Sequence, residues 1–154
     1  MYDVITLSET GVSPGDDLDQ YGRPLYTIEG YHDHVRCDRG GPRGGGVLAW
    51  VSEALVFKRR LDLERADAEI LSLQIRCSNN KVLLFVVYRT NKQVNFWDAL
   101  QECYNKAHTT GFCNIIITGD LNTDTSTING ESLKLFVKNN NLTKHVREPT
   151  RVTE

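Results

Sequence analysis

The apolar positions of the chain gather into short runs, and several of these runs stop at a polar residue. Asn114 to Asn122 reads Asn-Ile-Ile-Ile-Thr-Gly-Asp-Leu-Asn. Its β-branched residues occupy both alternating faces, which predicts a short strand buried on both sides and ended by Gly119. Val4 to Leu7 is a second such strand, closing in Ser8-Glu9-Thr10. Val82 to Arg89 is a third, an apolar run whose exit carries Tyr88 and Arg89. Val47 to Val51 and Leu55 to Lys58 are further candidates, and Tyr26 to His32 reads as one more short strand. Glu69 to Ile75 alternates, with Leu71, Leu73 and Ile75 on one face, and Asn79-Asn80-Lys81 is the hairpin turn that would join it to Val82.

Helical spacing follows in two places. Val94, Trp97, Leu100, Tyr104 and Ala107 place an amphipathic helix over Gln93 to Thr109, ended near Gly111, with Trp97 and Tyr104 facing the core. Leu133, Phe136 and Val137 place another over Asn129 to Asn140. Gly11 to Arg23 and the stretch through Asp38 to Gly46 carry no period and read as loops. Arg43-Gly44-Gly45-Gly46 could cradle a phosphate, but no Gly-Lys-Ser/Thr follows and a strand comes next, so a turn into that strand is the better reading. The last residues, Arg147 to Glu154, resemble the start of a further strand.

Composition adjusts this picture only slightly. A chain of 154 residues fits one domain, 1–154, with 40% hydrophobic and 25% charged residues. The net charge of −2 offers no overall basic field, so any nucleic-acid contact must be local and would need a cation. The four cysteines, Cys37, Cys77, Cys103 and Cys113, show no CxxC pairing, which favours reduced thiols in an intracellular protein, nuclear or cytoplasmic. His32, His34 and Cys37 lack the fourth ligand of a closed metal site. No signal peptide and no membrane-spanning run is visible, which predicts a soluble chain.

The chemistry gathers at the strand exits. Three predicted strands end with Glu9, with Tyr88, and with Asp120 plus Asn122. In an α/β domain neighbouring strand ends can converge on one cleft. Side chains at i and i+2 of an extended segment share a face, so Asp120 and Asn122 could point into it together. Gly, Asp and Asn are also ordinary turn residues, and on local spacing alone the turn remains open. Carboxylates suit Mg²⁺ or Mn²⁺, while a phenol and an amide can hydrogen-bond a phosphate oxygen without adding charge. The set describes metal-assisted phosphodiester hydrolysis. Lys58-Arg59-Arg60 could touch a phosphate backbone, though such a cluster at a strand end is more often a solvated edge; Arg89 is the better candidate for the cleft rim, at a strand position that faces away from Tyr88 unless the strand ends there.

Val4-Ile-Thr-Leu-Ser-Glu-Thr, Gly44-Gly-Gly-Val-Leu-Ala-Trp-Val, Val86-Val-Tyr-Arg, Ile116-Ile-Thr-Gly-Asp-Leu-Asn and Pro149-Thr-Arg together resemble consecutive landmarks of the endonuclease/exonuclease/phosphatase superfamily. The subgroup they are most similar to is the apurinic-endonuclease-like domain of non-LTR retrotransposons. The resemblance implies a four-layer α/β/β/α sandwich of the DNase I-like kind. It also implies Glu9 as a metal ligand for Mg²⁺ (or Mn²⁺), Tyr88 against the scissile phosphate, Asp120 orienting or activating water, and Asn122 positioning both. DNA is the substrate it implies, with Arg89 a substrate-side contact.

The departures from the family pattern shape the expectation too. Family members begin with a strand that ends in Asn and finish with a Ser-x-x-Asp strand and a terminal Ser-Asp-His; none of these occurs here, and the histidines are His32, His34, His108 and His145. Gly11 stands where the retroelement subgroup often has Trp. The expected object is therefore the middle of such a domain, truncated at both ends, impaired in turnover and marginally stable. The alternatives are a catalytically dead binding module of the same fold, or a repair, RNA or phosphoinositide phosphodiesterase of the same superfamily.

Overall fold

The structure is a computed structural model and describes residues 2–13, 15–39, 44–91, 93–124, 130–146 and 148. The chain forms two compact units, Met1–Leu121 and Asn122–Glu154. In the first, β1 (Val4–Ser8), β2 (Val35–Cys37) and β3 (Val47–Val51) make an antiparallel sheet in the order β1-β3-β2. A second sheet contains β4 (Val56–Arg59), β5 (Glu69–Cys77), β6 (Asn80–Tyr88) and β7 (Asn114–Asp120) in sequence order, antiparallel except for the parallel β6–β7 pair. A single 3-10 turn, Leu61–Leu63, leads from β4 toward β5. Helix α1 (Phe96–Thr109) makes the crossover between β6 and β7 that a parallel pair requires.

The two sheets pack through one alternating set of side chains. Val47, Ala49 and Val51 of β3 meet Leu71, Leu73 and Ile75 of β5 and Leu84, Val86 and Tyr88 of β6. The cross-strand register sets Leu71 opposite Val86 and Leu73 opposite Leu84, so the period-2 pattern read from the sequence does bury this face. Leu83, Phe85 and Val87 point the other way and are also fully buried. Each such side chain is worth about 1.5–3 kcal/mol on removal from water. The α1 stripe is Phe96, Ala99, Leu100, Cys103, Tyr104 and Ala107.

Several elements differ from the sequence expectation, each for a local reason. Tyr26 to His32 forms no strand; Tyr31 makes only an isolated bridge to Ser52, while the Tyr26 carbonyl accepts the Trp50 indole N–H at 2.9 Å. The β2 strand lies instead at Val35–Cys37, inside the expected loop, because β3 offers it a paired edge. The hairpin turn is Ser78-Asn79, with Ser78 at φ 51° and Asn80 already paired to Cys77. Helix α1 starts three residues late, and Val94 is 89% exposed; Phe96 takes the buried position that Val94 was expected to begin.

The central strand carries the largest correction. Gly119 does not end it: β7 runs through Asp120, with Val87 opposite Gly119 and Tyr88 opposite Asp120. Nor is it buried on both sides, since Ile116 is 54% exposed. Among the described residues β7 pairs with β6 alone, so its isoleucines cover one side of a sheet edge instead of filling a central position.

The second unit carries helix α2 (Glu131–Asn139), in which Phe136 is buried and Leu133 and Val137 are half-buried, the face its spacing predicted. Asn129 and most of the expected strand start at Arg147–Glu154, including Pro149-Thr-Arg, lie outside the described residues, as does Arg43. No helix among the described residues is long and apolar enough to cross a membrane.

Candidate active site at the strand ends

Strand ends that the sequence singled out do meet in the first unit. Glu9 follows β1 directly, with its backbone in the left-handed region at φ 58°. Tyr88 closes β6, and its phenol donates to Glu9 Oε1 at 3.0 Å across 79 positions of sequence. Asp120 closes β7 as the register partner of Tyr88. Glu9 and Asp120 are exposed, whereas Tyr88 is 5% exposed and belongs to the packing between the sheets. A rigid phenol thus stands between two water-facing carboxylate positions. Burial, then its hydrogen bond to Glu9, pushes the Tyr88 phenol above its usual range; the charges of Glu9 and Asp120 push the same way and Arg39 opposes them. The phenol is therefore a donor throughout the neutral range.

Asn122 and Arg89 are placed differently from the two carboxylates. Asn122 belongs to the second unit and has φ 44°, so the chain leaves the extended conformation after Asp120 and the shared-face argument for Asp120 and Asn122 does not apply. The Arg89 backbone N–H donates to the Asp120 carbonyl at 2.9 Å, continuing the β6–β7 ladder past Tyr88. Its guanidinium donates to the Leu121 carbonyl at 3.2 Å and lies over the Trp97 ring. Arg89 thereby holds the backbone that presents Asp120.

A second layer of residues was not singled out from the sequence. Glu69 begins β5 opposite Tyr88, and its side chain is 7% exposed. One carboxylate oxygen accepts Arg39 Nε at 2.7 Å; the other accepts the backbone N–H of Gly46. The glycine run turns into β3 as its sequence suggests, and its last N–H, that of Gly46, meets the protein's own carboxylate. A Cβ at Gly45, whose φ is 81°, would lie 2.6 Å from both Arg39 Nη2 and Glu69 Oε2, so a larger residue there would displace the ends of the pair. The same run braces the segment after Glu9, through Gly11 N–H to the Gly45 carbonyl at 2.8 Å and Thr10 N–H to the Gly46 carbonyl at 3.4 Å. Arg39 then lies 5.7 Å from the Tyr88 ring centroid. The available signal was a lone acid heading an otherwise apolar strand, since a buried charge demands a partner.

Other candidates are engaged elsewhere. His32 Nε2 lies 3.1 Å from the Leu55 carbonyl, and His34 Nε2 lies 3.1 Å from Asp17 Oδ2. Burial, the largest cause, raises the Cys37 thiol to about 11. Arg59 is paired with Glu64 at 2.8 Å and Arg60 with Asp62 at 2.6 Å, so these two arginines of the Lys58-Arg59-Arg60 cluster are half-buried and ion-paired where the sequence suggests a solvated edge. The four cysteines are free thiols.

Among the described residues no three His, Cys, Asp or Glu side chains form a ready metal cage. The donors at the strand ends are hard oxygens, and Mg²⁺ is commonly held by one or two carboxylates, with waters and substrate phosphate completing its shell. Exposed Glu9, with Asp120 nearby across Tyr88, fits that requirement.

Comparisons with known proteins bear on the family and the fold. The family model described as "Endonuclease/Exonuclease/phosphatase family" matches residues 1–136. No curated protein matches the sequence. Among solved structures, the chain is similar to the "Endonuclease domain of TRAS1, a telomere-specific non-LTR retrotransposon", with a TM-score of 0.58 and 15% identity over 73% of this chain. It spans 53% of that domain's chain, a likeness of fold. The two-sheet α/β fold expected from the motifs is the fold of that neighbour.

Proposed function

This chain belongs to the endonuclease/exonuclease/phosphatase family, and from that premise we propose that its strand-end site hydrolyses phosphodiester bonds of DNA with the help of a divalent cation. The observation that carries the reading is the Tyr88–Glu9 hydrogen bond of 3.0 Å beside the register partner Asp120. Tyr88 and Asp120 close neighbouring strands of one sheet, and Glu9, just after β1 of the other sheet, reaches Tyr88 across the packing between them.

In this reading Glu9 holds the cation, Mg²⁺ or Mn²⁺, which would offset charge on the phosphate in the transition state. Tyr88, kept protonated, would turn its single phenolic hydrogen from Glu9 to a nonbridging phosphate oxygen once Glu9 is engaged by the cation. Asp120, exposed at the end of β7, orients the attacking water and takes its proton as the water oxygen bonds phosphorus; the P–O bond to the leaving sugar oxygen breaks, and that oxygen takes a proton from solvent. Arg89 acts from behind by fixing the Asp120–Leu121 backbone. The likeness to a retrotransposon endonuclease domain supports DNA as the substrate.

The test is nicking of supercoiled plasmid by the purified chain in Mg²⁺. Expected are slow cleavage, as befits a chain impaired in turnover, that EDTA abolishes, and a further loss of about 10²- to 10⁴-fold in Asp120→Ala, the usual worth of a general base. No cleavage by a folded, monodisperse protein would overturn the reading in favour of a binding module on the same fold. Cleavage indifferent to Asp120→Ala would do so as well.

A further inference from the structure

We propose that Arg39, anchored by Glu69, is a positioning residue for the Tyr88 phenol; this deepens the nuclease reading and rests on it for its kinetic consequence. The arrangement starts from a buried acid. Glu69 is charged and 6% exposed, and such a group is retained only when its oxygens are satisfied. Its two oxygens are divided between two tasks, one on Arg39 and one on the Gly46 amide. The first task sets the guanidinium in place by its Nε edge. The second locks the glycine run, which in turn is tied to Thr10 and Gly11 just after Glu9.

What Arg39 faces decides its role. Its Cζ lies 5.7 Å from the Tyr88 ring centroid, within the range of a cation–π contact. The hydroxyl end of the same ring is fixed by Glu9 at 3.0 Å. The ring is thus held by a cation beside it and a carboxylate at its tip, and both holds trace back to Glu69. A planar guanidinium can bond Glu69 through one edge and still lie against an aromatic ring, a combination that a lysine ammonium cannot reproduce. Glycine at position 45 is the accommodation the chain makes for this pair, since a Cβ there would meet Arg39 and Glu69 at 2.6 Å. A salt bridge that served stability alone would have no need to aim its cation at the phenol.

The experiment uses the full chain with 3-fluorotyrosine at Tyr88, read by ¹⁹F NMR, alongside plasmid nicking kinetics. Arg39→Gln and Glu69→Gln are expected to move the Tyr88 resonance away from its wild-type position, Arg39→Lys to move it part of the way, and Arg60→Gln, whose partners are Asp62 and Gln74, to leave it unchanged. In nicking, Arg39→Gln should lower kcat by about 10²-fold with KM unchanged, as expected for a misplaced catalytic group, and Arg39→Lys should recover part of that loss. A Tyr88 resonance that stays at its wild-type position in both Arg39→Gln and Arg39→Lys would overturn the proposal. So would a rise in KM with unchanged kcat, which would make Arg39 a direct substrate contact. If Arg39→Gln loses its folded circular dichroism, Arg39→Lys and Glu69→Gln carry the same test. If the wild-type chain does not nick DNA, the nuclease reading falls by itself and the resonance alone decides whether Arg39 holds the phenol.

Discussion

Gly119 is the position where the fold and the site are most tightly joined, and Gly119→Ala should expose that link. Its φ is 124°, a region L side chains rarely adopt, which costs about 1–3 kcal/mol. A Cβ there would also lie 1.9 Å from the Val87 carbonyl oxygen and 2.8 Å from its nitrogen. Both atoms are backbone of β6, so no side-chain rotation relieves the contact and the strands must part. Forced overpacking of this kind costs about a further 1–3 kcal/mol. A total near 4 kcal/mol is a large share of the roughly 5–15 kcal/mol that holds a domain. With a urea m-value of about 2 kcal/mol/M, the unfolding midpoint should fall by about 2 M. Fluorescence of Trp50 and Trp97, both in the first unit, reports the transition. Gly111→Ala is the reference: its φ of 85° is also left-handed, but nothing lies within 4 Å of the added carbon. It should cost only the backbone contribution of about 1–2 kcal/mol. Equal midpoints for the two variants would refute the steric argument.

Other outcomes follow from burial and charge. Phe85→Ala, at a fully buried site, should cost about 3–5 kcal/mol in urea unfolding, whereas Ile116→Ala, at 54% exposure, should cost far less despite its place in the isoleucine run. Asp120→Ala should leave the melting midpoint nearly unchanged because the side chain is exposed, so a nicking defect in that variant would be chemical and not structural. The Cys37 and Cys103 thiols are both raised to about 11, mainly by burial, from an ordinary 9.0. Between these values the unfolded chain loses protons that the folded chain keeps, so this contribution to stability is full below pH 9.0 and is lost as the pH rises toward 11. Urea midpoints measured across that window should decline, and less so in Cys103→Ala. Exposed Cys77 and Cys113 should react with a thiol reagent well before the other two.

The sequence was informative where one pattern had one solution. Leu71, Leu73 and Ile75 alternate cleanly, and they do line the space between the sheets. Glu9, Tyr88 and Asp120 are visible as polar exits from apolar runs; in the structure Tyr88 bonds Glu9 across the two sheets and is the register partner of Asp120. Periodicity failed where neighbours decide. Three isoleucines read as a doubly buried strand, but burial depends on what lies beside β7, and its composition carries no such information. Residues Val35–Cys37 looked like loop because a three-residue strand has too few positions to show a period. Glu69 and Arg39 were passed over because their partnership spans 30 positions and each looks ordinary in its own segment.

The division of charge at the strand ends also bears on how the site would be used. Glu69 is committed to Gly46 and Arg39, so its charge is largely balanced within the fold. Glu9 and Asp120 are exposed carboxylates whose charges both reach the Tyr88 phenol, so a phosphodiester brought to Tyr88 meets both of them. Two like charges about 4 Å from an anion oppose it by roughly 1 kcal/mol each even at the dielectric constant of water, and by more near a protein surface. The net charge of the chain, −2, supplies no compensating field. The arrangement therefore disfavours phosphate until a cation joins Glu9, and DNA affinity should rise with Mg²⁺ concentration in Asp120→Ala as well as in the wild type, where turnover would otherwise mask binding. Fluorescence anisotropy of a labelled duplex reads this directly. Affinity independent of Mg²⁺ would place the DNA contact elsewhere on the chain and detach it from the Glu9–Tyr88–Asp120 group.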